Sequence, residues 1–536
     1  MLENLAGRLL KVTHNVVARD QTCGVPGRFI GENVAFLRDV VIFANEFNVP
    51  AAILSLDQEK AFDRVDWPFL FSLLSRMGFG PSFISWVKLL YTDVSSSIFI
   101  NGYISCSFKP SRGVHQGCPL SPLLYVLTME VLAVNIRANP LIKGLCLPGS
   151  ALPLPVLSLY ADDTSIVSIS DASTIAVFET YNRFERGTGS KLNLEKCEGL
   201  WIGSWRFRLD ALVPIVWTSD KLKVLGVFIG NIPLDEANWR PRIEAVQNCL
   251  LSWRLRALSL SGKALVCNAL ALSRIWYVTS LVFMPSWVLS ELNTLVFKFF
   301  WSGKRDLVAR KVVVQPQEFG GFNIVFIRHK VDALLVQWVC RFSTSPNTWV
   351  ALLTFWFFDR FGVGPLQVFS SPVSYSADLL PPFYTCLLRA WRALGGSSSP
   401  SGLTLSSGSG SAPVSSVSCK SCYQTLLSLN YCQPHCVAKF QPVFGPLDWP
   451  CVWKSLLFMP LDRLASDLNW KIAHGVLYTA DRLISFGYAI PGGCFCGYHL
   501  ESAEHLFFLC PLAQSGIAFV QSLLSVAAPL APSIDV

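Results

Sequence analysis

The segment that most constrains this sequence is Leu157–Ser168, in which two adjacent carboxylates, Asp162 and Asp163, separate two apolar runs. Apolar residues alternate on both sides of the acids, which is typical of β-strands. Asp favours turns because its side chain can hydrogen-bond to the local backbone. The segment therefore predicts a tight β-hairpin with both acids at its tip. For an isolated pair of acids a solvated turn is the plainer interpretation, so the function depends on what else the chain brings to this hairpin.

A third carboxylate ends another predicted strand, because the apolar run 51–56 is followed by Asp57. A strand-terminal acid beside a hairpin that carries two more acids suits a two-cation site, since carboxylates offer hard oxygen ligands for Mg²⁺. Two such ions, about 3.5–4 Å apart, stabilise the attacking and leaving oxygens in phosphoryl transfer. Without cations, three neighbouring carboxylates repel one another. Asp57, Asp162 and Asp163 therefore suit a site for two Mg²⁺ or Mn²⁺ ions.

Local signals predict the elements around these acids. Residues 21–28 form a turn-rich loop, and apolar residues from Val34 to Phe47 recur at helical spacing. Asp66 is a predicted N-cap with Pro68 just inside its helix. The Asn101-Gly102 pair predicts a second hairpin.

Positive charge and tryptophan concentrate in residues 201–311. This stretch holds 15 Lys and Arg against 7 Asp and Glu, together with eight tryptophans, and its excess equals the net charge of +8 for the whole chain. Cations interleaved with aromatic rings suit a phosphate backbone with stackable bases. The alternative is a helical core of Trp and Leu with Arg and Lys extending to its surface. For the stretch as a whole we favour nucleic-acid binding.

A four-residue metal site is predicted near the C-terminus, where Cys494, Cys496, His505 and Cys510 follow the pattern C-x-C-x8-H-x4-C. Three thiolates and one imidazole suit tetrahedral Zn²⁺. The alternative is a set of buried free cysteines. We expect one zinc ion here.

A second cluster of cysteine and histidine leaves its function open. The cluster follows residues 395–418, which are rich in Ser, Gly and Pro and predict a flexible linker. The Cys-x2-Cys spacing at its start is acceptable for a metal, but we favour the absence of a second metal ion. Its members are Cys419, Cys422, Cys432, His435 and Cys436.

The cysteine content bears on the cellular location. The seventeen cysteines are odd in number and scattered along the chain, which does not indicate a framework of disulfide bonds. A reducing compartment fits better. Residues 1–14 carry charges throughout and lack the apolar core of a signal peptide. No stretch predicts a transmembrane helix convincingly. We therefore expect an intracellular protein that is not secreted and has no membrane partner; a nuclear as well as a cytoplasmic location would follow only from integration into DNA.

Five segments stand in an order that carries more information than any one of them alone. They are Leu56–Asp66, Arg112–Pro122, Tyr160–Asp163, Gly189–Cys197 and Lys223–Val227.

These segments resemble, in order, five motifs of the reverse transcriptases of non-long-terminal-repeat (LINE-type) retrotransposons, and residues 450–515 resemble the zinc-binding region that follows them. The resemblance implies an α+β fold, with an antiparallel sheet packed by helices in a right-hand palm and fingers. It implies that residues 1–232 form part of the fingers together with the palm of a reverse transcriptase. Residues 233–394 would then form a mainly helical thumb or connection. The linker spans 395–418, and a small zinc-knuckle region spans 419–536.

The resemblance also implies roles for single residues. Asp57, Asp162 and Asp163 would hold the catalytic metals. Phe62 would lie under the sugar of the incoming nucleotide and exclude a 2′-hydroxyl, whereas the alternative for this ring is a place in the core. The nucleotide pocket would further include Gln116 and Gly117.

The implied activity is RNA-directed DNA polymerisation, in which deoxynucleoside triphosphates extend a DNA 3′ end on an RNA template. The implied partners are the RNA template, the DNA primer or target, and the nucleotides. A further basic fingers segment of the family has no counterpart here, so we expect a chain truncated at its N-terminus. The alternative function is therefore a catalytically inactive remnant that only binds nucleic acid.

Overall fold

The computed structural model describes residues 2–148, 150, 153–344, 348–371, 375–399, 402–407, 410–458 and 463–527. Parts of the predicted linker (400, 401, 408 and 409) and of the predicted C-terminal region (459–462 and 528–536) lie outside the described residues. The chain divides into two compact units, each built from three separate stretches. The first unit holds Met1–Ile243, Ile275–Val288 and His329–Leu426, and the second holds Glu244–Arg274, Leu289–Arg328 and Leu427–Val536.

Residues 2–230 contain both helices and strands. The helices are α1 (Leu2–Leu10), α2 (Thr13–Val16), α3 (Gly31–Glu46), α4 (Trp67–Arg76), α5 (Pro81–Leu90), α6 (Ser121–Ala138) and α7 (Asp171–Thr188). The strands are β1 (Ala51–Leu56), β2 (Phe99–Ile100), β3 (Tyr103–Ile104), β4 (Leu157–Tyr160), β5 (Asp163–Ser168), β6 (Glu198–Ile202), β7 (Val216–Thr218), β8 (Lys221–Val224) and β9 (Val227–Gly230).

The chain beyond residue 230 is mainly helical. Its helices up to residue 393 are α8 (Asp235–Trp253), α9 (Leu260–Leu265), α10 (Trp276–Thr279), α11 (Ser286–Phe300), α12 (Arg310–Val313), α13 (Ile327–Thr344), α14 (Thr348–Phe361), α15 (Pro365–Ser370) and α16 (Pro382–Ala393). Next come β10 (Gly396–Ser399), β11 (Gly402–Ser407), β12 (Gly410–Pro413), α17 (Cys419–Leu429), α18 (His435–Phe444), α19 (Trp449–Phe458), α20 (Arg463–Ala473), α21 (Ala480–Ser485) and α22 (Pro511–Ala527).

A five-stranded sheet forms the centre of the first unit, in the order β4-β5-β1-β6-β7. The middle strand, β1, is antiparallel to both of its neighbours, β5 and β6. Its register pairs Leu56 with Thr164, so the next residues along the two strands are Asp57 and Asp163. The sheet therefore brings the strand-terminal acid and the hairpin acids to one edge.

Helices cover both faces of this sheet, because β1 is apolar on both sides. Leu54 and Leu56 are buried in one core with Tyr125 of α6 and Tyr181 of α7. On the other side, α3 contacts β4 and β6. The predicted α+β class, with an antiparallel sheet packed by helices, is confirmed.

Helix α6 is buried for most of its length. Among the described residues it is the one helix that is long and apolar enough to cross a membrane, and 67% of it lies inside the protein. Such burial is typical of a helix in the core of a domain.

The predicted flexible linker over 395–418 is wrong in its described part, which forms a three-stranded antiparallel sheet in the order β10-β11-β12. Leu403 and Leu405 of β11 are buried, and β10 contacts α15 and α16. The composition is too polar to fold alone, but two leucines suffice when the rest of the first unit supplies the apolar surface.

The second unit joins the helical stretch after residue 243 to the C-terminal region. The indole N–H of Trp470 donates to the carbonyl of Gly320 at 2.9 Å. A carboxylate oxygen of Asp467 accepts from the backbone N–H of Leu260 at 2.7 Å. The compact units thus do not follow the continuous ranges 1–232, 233–394 and 419–536, since each unit collects distant parts of the chain. The fingers, palm and thumb named for those ranges stay predictions.

Candidate active site and zinc-binding site

The two acids lie where the sequence predicts them, at the tip of the β4–β5 hairpin. Tyr160 pairs with Asp163, which leaves Ala161 and Asp162 as a two-residue turn. Ala161 has a φ of +54°, a conformation that costs a non-glycine residue about 1–2 kcal/mol. Such a turn persists only when its surroundings hold it.

Gln21 holds this turn. Its side-chain oxygen accepts from the backbone N–H of Ala161 at 3.1 Å and from that of Cys23 at 3.0 Å. Its side-chain N–H donates to the carbonyl of Ala161 at 3.5 Å. Because Gln21 is fully buried, loss of these bonds would leave buried polar groups without partners. Gln21 thus fixes the residue that precedes Asp162.

The segment that carries Gln21 runs beside β4 rather than looping freely. Gln21 forms a parallel bridge with Leu159, and the N–H of Thr22 donates to the carbonyl of Leu159 at 3.0 Å. The guanidinium of Arg28 donates to the carbonyls of Gln21 at 2.6 Å and Val17 at 2.8 Å. The predicted turn-rich loop is therefore a support for the hairpin, and sequence reasoning missed it because nothing in residues 21–28 marks a contact 140 residues away.

The fourth sequence segment holds Asp57 by its backbone. The carbonyl of Asp57 accepts from the N–H of Asn193 at 2.9 Å. Its N–H donates to the buried sulfur of Cys197 at 3.4 Å. Asp57 is half-buried just beyond β1. Its position is therefore fixed by the strand on one side and by residues 193–197 on the other.

The three carboxylates interact electrostatically. Loss of hydration raises the pKa of Asp163 to about 6, with further contributions from the charges of Asp162 and then Asp57. Loss of hydration also raises the pKa of Asp162, and Asp57 acts in the same direction. Carboxylates whose ionised form is disfavoured by lost hydration and by neighbouring negative charge are a donor set that a cation stabilises. The carboxylates present therefore fit divalent cations.

Phe62 and Gln116 lie on two segments that are hydrogen-bonded to each other. The N–H of Val114 donates to the carbonyl of Phe62 at 2.8 Å. The ring of Phe62 stacks on that of Tyr125, with centroids 4.7 Å apart and 15° between the planes. Gln116 is exposed, and the adjacent Gly117 has a φ of +86° that favours glycine.

Another hairpin, formed by β8 and β9, is held by hydrogen bonds to its turn. Its turn residues Leu225 and Gly226 both have positive φ, at +46° and +81°, as in a type I′ turn. The hydroxyl of Tyr277 donates to the carbonyl of Leu225 at 2.7 Å, and Arg242 donates to that of Gly226. Burial raises the pKa of Tyr277 to about 12, and the charges of Tyr160 and Asp163 add to this effect.

The predicted zinc ligands Cys494, Cys496, His505 and Cys510 come together, with all four ligand atoms within 4.8 Å of one another. The sulfurs of Cys494 and Cys510 are 4.0 Å apart, and the sulfur of Cys496 is 3.1 Å from Nε2 of His505. Zn–S bonds of about 2.3 Å in a tetrahedron place two sulfurs about 3.8 Å apart. The donor set therefore fits Zn²⁺.

The second cysteine cluster does not form a comparable site. Within the described part of the chain, the group at residues 494–510 is the one set of three or more such ligands that lies close enough to share an ion. Cys419 accepts a hydrogen bond from Lys330 at 3.3 Å, and Cys422 lies 3.9 Å from the amide of Gln337. The absence of a second metal ion stays a prediction.

Two parts of the chain match known protein families. Residues 8–229, which contain the three acids, match the family described as reverse transcriptase (RNA-dependent DNA polymerase). Residues 417–515, which contain the four predicted zinc ligands, match the family described as zinc-binding in reverse transcriptase.

The chain therefore contains a reverse transcriptase domain followed by the zinc-binding region of reverse transcriptases, as expected for a non-LTR retrotransposon. The identification made from the five segments is thereby confirmed, and the zinc-binding region follows the reverse transcriptase domain in the order expected.

Relatives of this chain include transposon and retrotransposon proteins. The transposon TX1 uncharacterized 149 kDa protein of Xenopus laevis is 33% identical over 399 residues, which are 72% of this chain and 30% of the relative. The retrovirus-related Pol polyprotein from the type-2 retrotransposable element R2DM of Drosophila melanogaster is 31% identical over 187 residues, which are 33% of this chain and 17% of the relative. The matched part of this chain therefore spans less than a third of the length of either relative.

Solved structures with some likeness include telomerases. The apo telomerase of Candida tropicalis has a TM-score of 0.36 at 12% sequence identity, covering 57% of this chain and 52% of the telomerase.

Proposed function

We propose that this chain is an RNA-directed DNA polymerase that adds deoxynucleotides to a DNA 3′ end on an RNA template. The observation that carries the proposal is the common edge of the central sheet, where Asp57 lies close enough to Asp162 and Asp163 for its charge to help raise the pKa of both. Membership of the reverse transcriptase family supports it.

The three acids would hold two Mg²⁺ or Mn²⁺ ions through their carboxylate oxygens. Bound ions supply charge neutralisation for the attacking 3′-hydroxyl and the leaving pyrophosphate. The protein contributes fixed positions for the ligands: Gln21 and the β4–β5 strands hold Asp162 and Asp163, whereas Asn193 and Cys197 hold Asp57. Such preorganisation lowers the reorganisation needed when substrate binds.

The nucleotide would lie between the segment of Phe62 and that of Gln116 and Gly117. The Phe62 ring is supported from below by Tyr125 and cannot move aside easily, so it would collide with a ribose 2′-hydroxyl and favour deoxynucleotides. The exposed Gln116 offers both donor and acceptor groups, and the positive φ of Gly117 keeps side-chain bulk away from a ligand.

RNA template and DNA primer or target are the proposed partners, in line with the excess of basic residues over 201–311. The Cys494–Cys510 zinc site would stabilise a region that binds one of these nucleic acids. An enzyme that copies RNA into chromosomal DNA requires access to RNA and to that DNA. We therefore propose cytoplasmic and nuclear locations.

Primer extension tests the proposal directly. A labelled DNA primer annealed to an RNA template is incubated with the full chain, the four deoxynucleotides and Mg²⁺ or Mn²⁺. We expect templated extension that falls at least about 100-fold in Asp162→Asn, since the amide keeps the shape but loses the charge that binds a cation.

Asp220→Asn is the matched control, because Asp220 is an exposed acid of the same unit that follows β7. This variant should extend primers as the wild type does. If the wild type binds the primer–template but extends it with neither metal, the chain is a nucleic-acid-binding remnant. If Asp162→Asn extends primers normally, the assigned metal role is wrong.

A further inference from the structure

Two adjoining cavities in the second unit are lined by basic side chains. One, of about 140 Å³, is lined by Arg254, Arg256 and Lys298 among others. The other, of about 260 Å³, is lined by Lys304 and Lys471 among others. Lys263 and Ser302 line both cavities. The two cavities therefore share a wall and carry the same sign of charge.

No acidic residue lines either cavity among the described residues. Asp467 is the acid whose charge acts on Lys263, but its carboxylate already accepts from the N–H of Leu260 at 2.7 Å. The positive charge of the cavities therefore lacks a matching set of carboxylates, and an anionic ligand would supply it.

Lys263 occupies the shared wall in a fixed position. Its Nζ donates to the hydroxyl of Ser302 at 2.7 Å. Ser302 has a φ of +55° in the turn after α11, and its N–H donates to the carbonyl of Phe299 at 3.0 Å. Burial lowers the pKa of Lys263, and Lys471 and Lys304 act in the same direction. An anion between these lysines would relieve both the repulsion and the lost hydration.

Aromatic side chains accompany the cations. Trp253 and Phe299 line the smaller cavity, and Tyr478 lines the larger one. The guanidinium of Arg256 lies 4.5 Å from the ring centroid of Trp253. Cations with aromatic rings along a groove suit a single strand of nucleic acid, whose phosphates need positive charge and whose unpaired bases can stack.

We infer that these cavities form a binding track for the phosphate backbone of a single-stranded nucleic acid, with Lys298 and Lys304 at its two ends and Lys263 between them. The inference rests on the proposed function only for the class of ligand, and it does not depend on catalysis. It assigns to the second unit a place that binds a template or product strand.

The test is equilibrium binding of the full chain to fluorescent oligo(dT) and oligo(U) of about 20 nucleotides, over a series of salt concentrations, without nucleotides or added divalent ions. Lys298→Ala and Lys304→Ala each remove one exposed cation from a different cavity. Loss of one phosphate contact lowers the slope of log K against log salt by about 0.7 for a single strand, which corresponds to about a fivefold loss of affinity at about 0.1 M salt. We expect this loss for each variant and about a 25-fold loss for the double variant.

Lys311→Ala is the matched control, because Lys311 is an exposed lysine of the same unit that lines neither cavity. Its affinity should stay within about twofold of the wild type. Equal oligonucleotide affinities of the double variant and this control would overturn the inference of a track. Binding of inorganic phosphate to the cavities without displacement of either oligonucleotide would also overturn it. A higher affinity for duplex than for single-stranded nucleic acid would do the same.

Failure of this inference and failure of the proposed function are distinguishable. Asp162→Asn should bind both oligonucleotides as the wild type does, since its carboxylate lies in the other unit. Circular dichroism and thermal unfolding of the lysine variants show whether they are folded, and unchanged melting with weakened binding supports the track.

Discussion

The side-chain amide of Gln21 hydrogen-bonds both the N–H and the carbonyl of Ala161, the residue that precedes Asp162 in the hairpin turn. A residue far from the acids in sequence thus holds the backbone of Ala161, next to them, in a left-handed conformation that alanine adopts only at a cost. Gln21 is in this view a positioning residue, because it acts on the metal ligands and not on substrate.

Gln21→Leu keeps the volume of the side chain and removes its hydrogen bonds. Because the turn would then relax, we expect primer extension to fall about 10- to 100-fold, with a raised Mg²⁺ requirement. Gln21→Glu retains the acceptor for the N–H groups of Ala161 and Cys23 and should lose less activity. Titration of extension rate with Mg²⁺ checks this, and a variant that loses melting temperature but keeps its Mg²⁺ dependence would indicate a merely structural role.

Phe62→Ala should relax the choice of sugar. Removal of the ring opens the space proposed to exclude a 2′-hydroxyl, so we expect ribonucleotide incorporation relative to deoxynucleotide incorporation to rise at least about tenfold. Single-nucleotide extension with each class of triphosphate measures the ratio. Phe69→Ala is the control, because Phe69 is also a half-buried phenylalanine packed against the same core; it should change stability but not the ratio.

Asp163→Asn should stabilise the protein in the absence of divalent ions. The pKa of Asp163 is raised to about 6 in the folded state, so the folded state binds more protons than the unfolded state between about pH 4 and 6. The stability of the wild type therefore falls relative to the variant as pH rises through this window. Solvent screening of the exposed carboxylate limits the effect to on the order of 1 kcal/mol.

Thermal unfolding at a series of pH values, with and without Mg²⁺, checks this linkage. Mg²⁺ should stabilise the wild type above about pH 6 and have less effect on Asp163→Asn, because the variant lacks one ligand. A difference between the two proteins that does not change with pH would contradict the raised pKa.

The zinc site predicts one tightly bound zinc per chain. Cys510→Ser should lower zinc content measured by mass spectrometry and reduce thermal stability, because metal binding contributes to folding of such sites. Cys451→Ser is the control, since Cys451 is an exposed cysteine in the same unit and should leave both quantities unchanged. Two zincs per wild-type chain would show that the second cysteine cluster also binds metal.

Local patterns were enough to predict the acids and the zinc ligands. The Asp162-Asp163 tip follows from alternation on both sides of a turn, and the Cys494–Cys510 set follows from spacing within 17 residues. Asp57 required one further step, the pairing of two strands, which the apolar run before it indicated.

Long-range contacts could not be predicted in the same way. Gln21 stands in a loop without periodicity, and its partner lies 140 residues along the chain. The β10–β12 sheet depends on buried Leu403 and Leu405 and on helices α15 and α16, whereas its own composition indicates a linker. Tertiary packing overrides local propensity in both cases.

The interleaving of the second unit restricts how this protein can change by recombination. Trp470 and Asp467 bond to Gly320 and Leu260 within one compact unit, although residues 329–426 between them belong to the other unit. A crossover that exchanged the C-terminal zinc-binding region alone would separate these partners. We therefore expect the helical stretches Glu244–Arg274 and Leu289–Arg328 to be inherited together with the zinc-binding region, and their sequences to vary together among relatives.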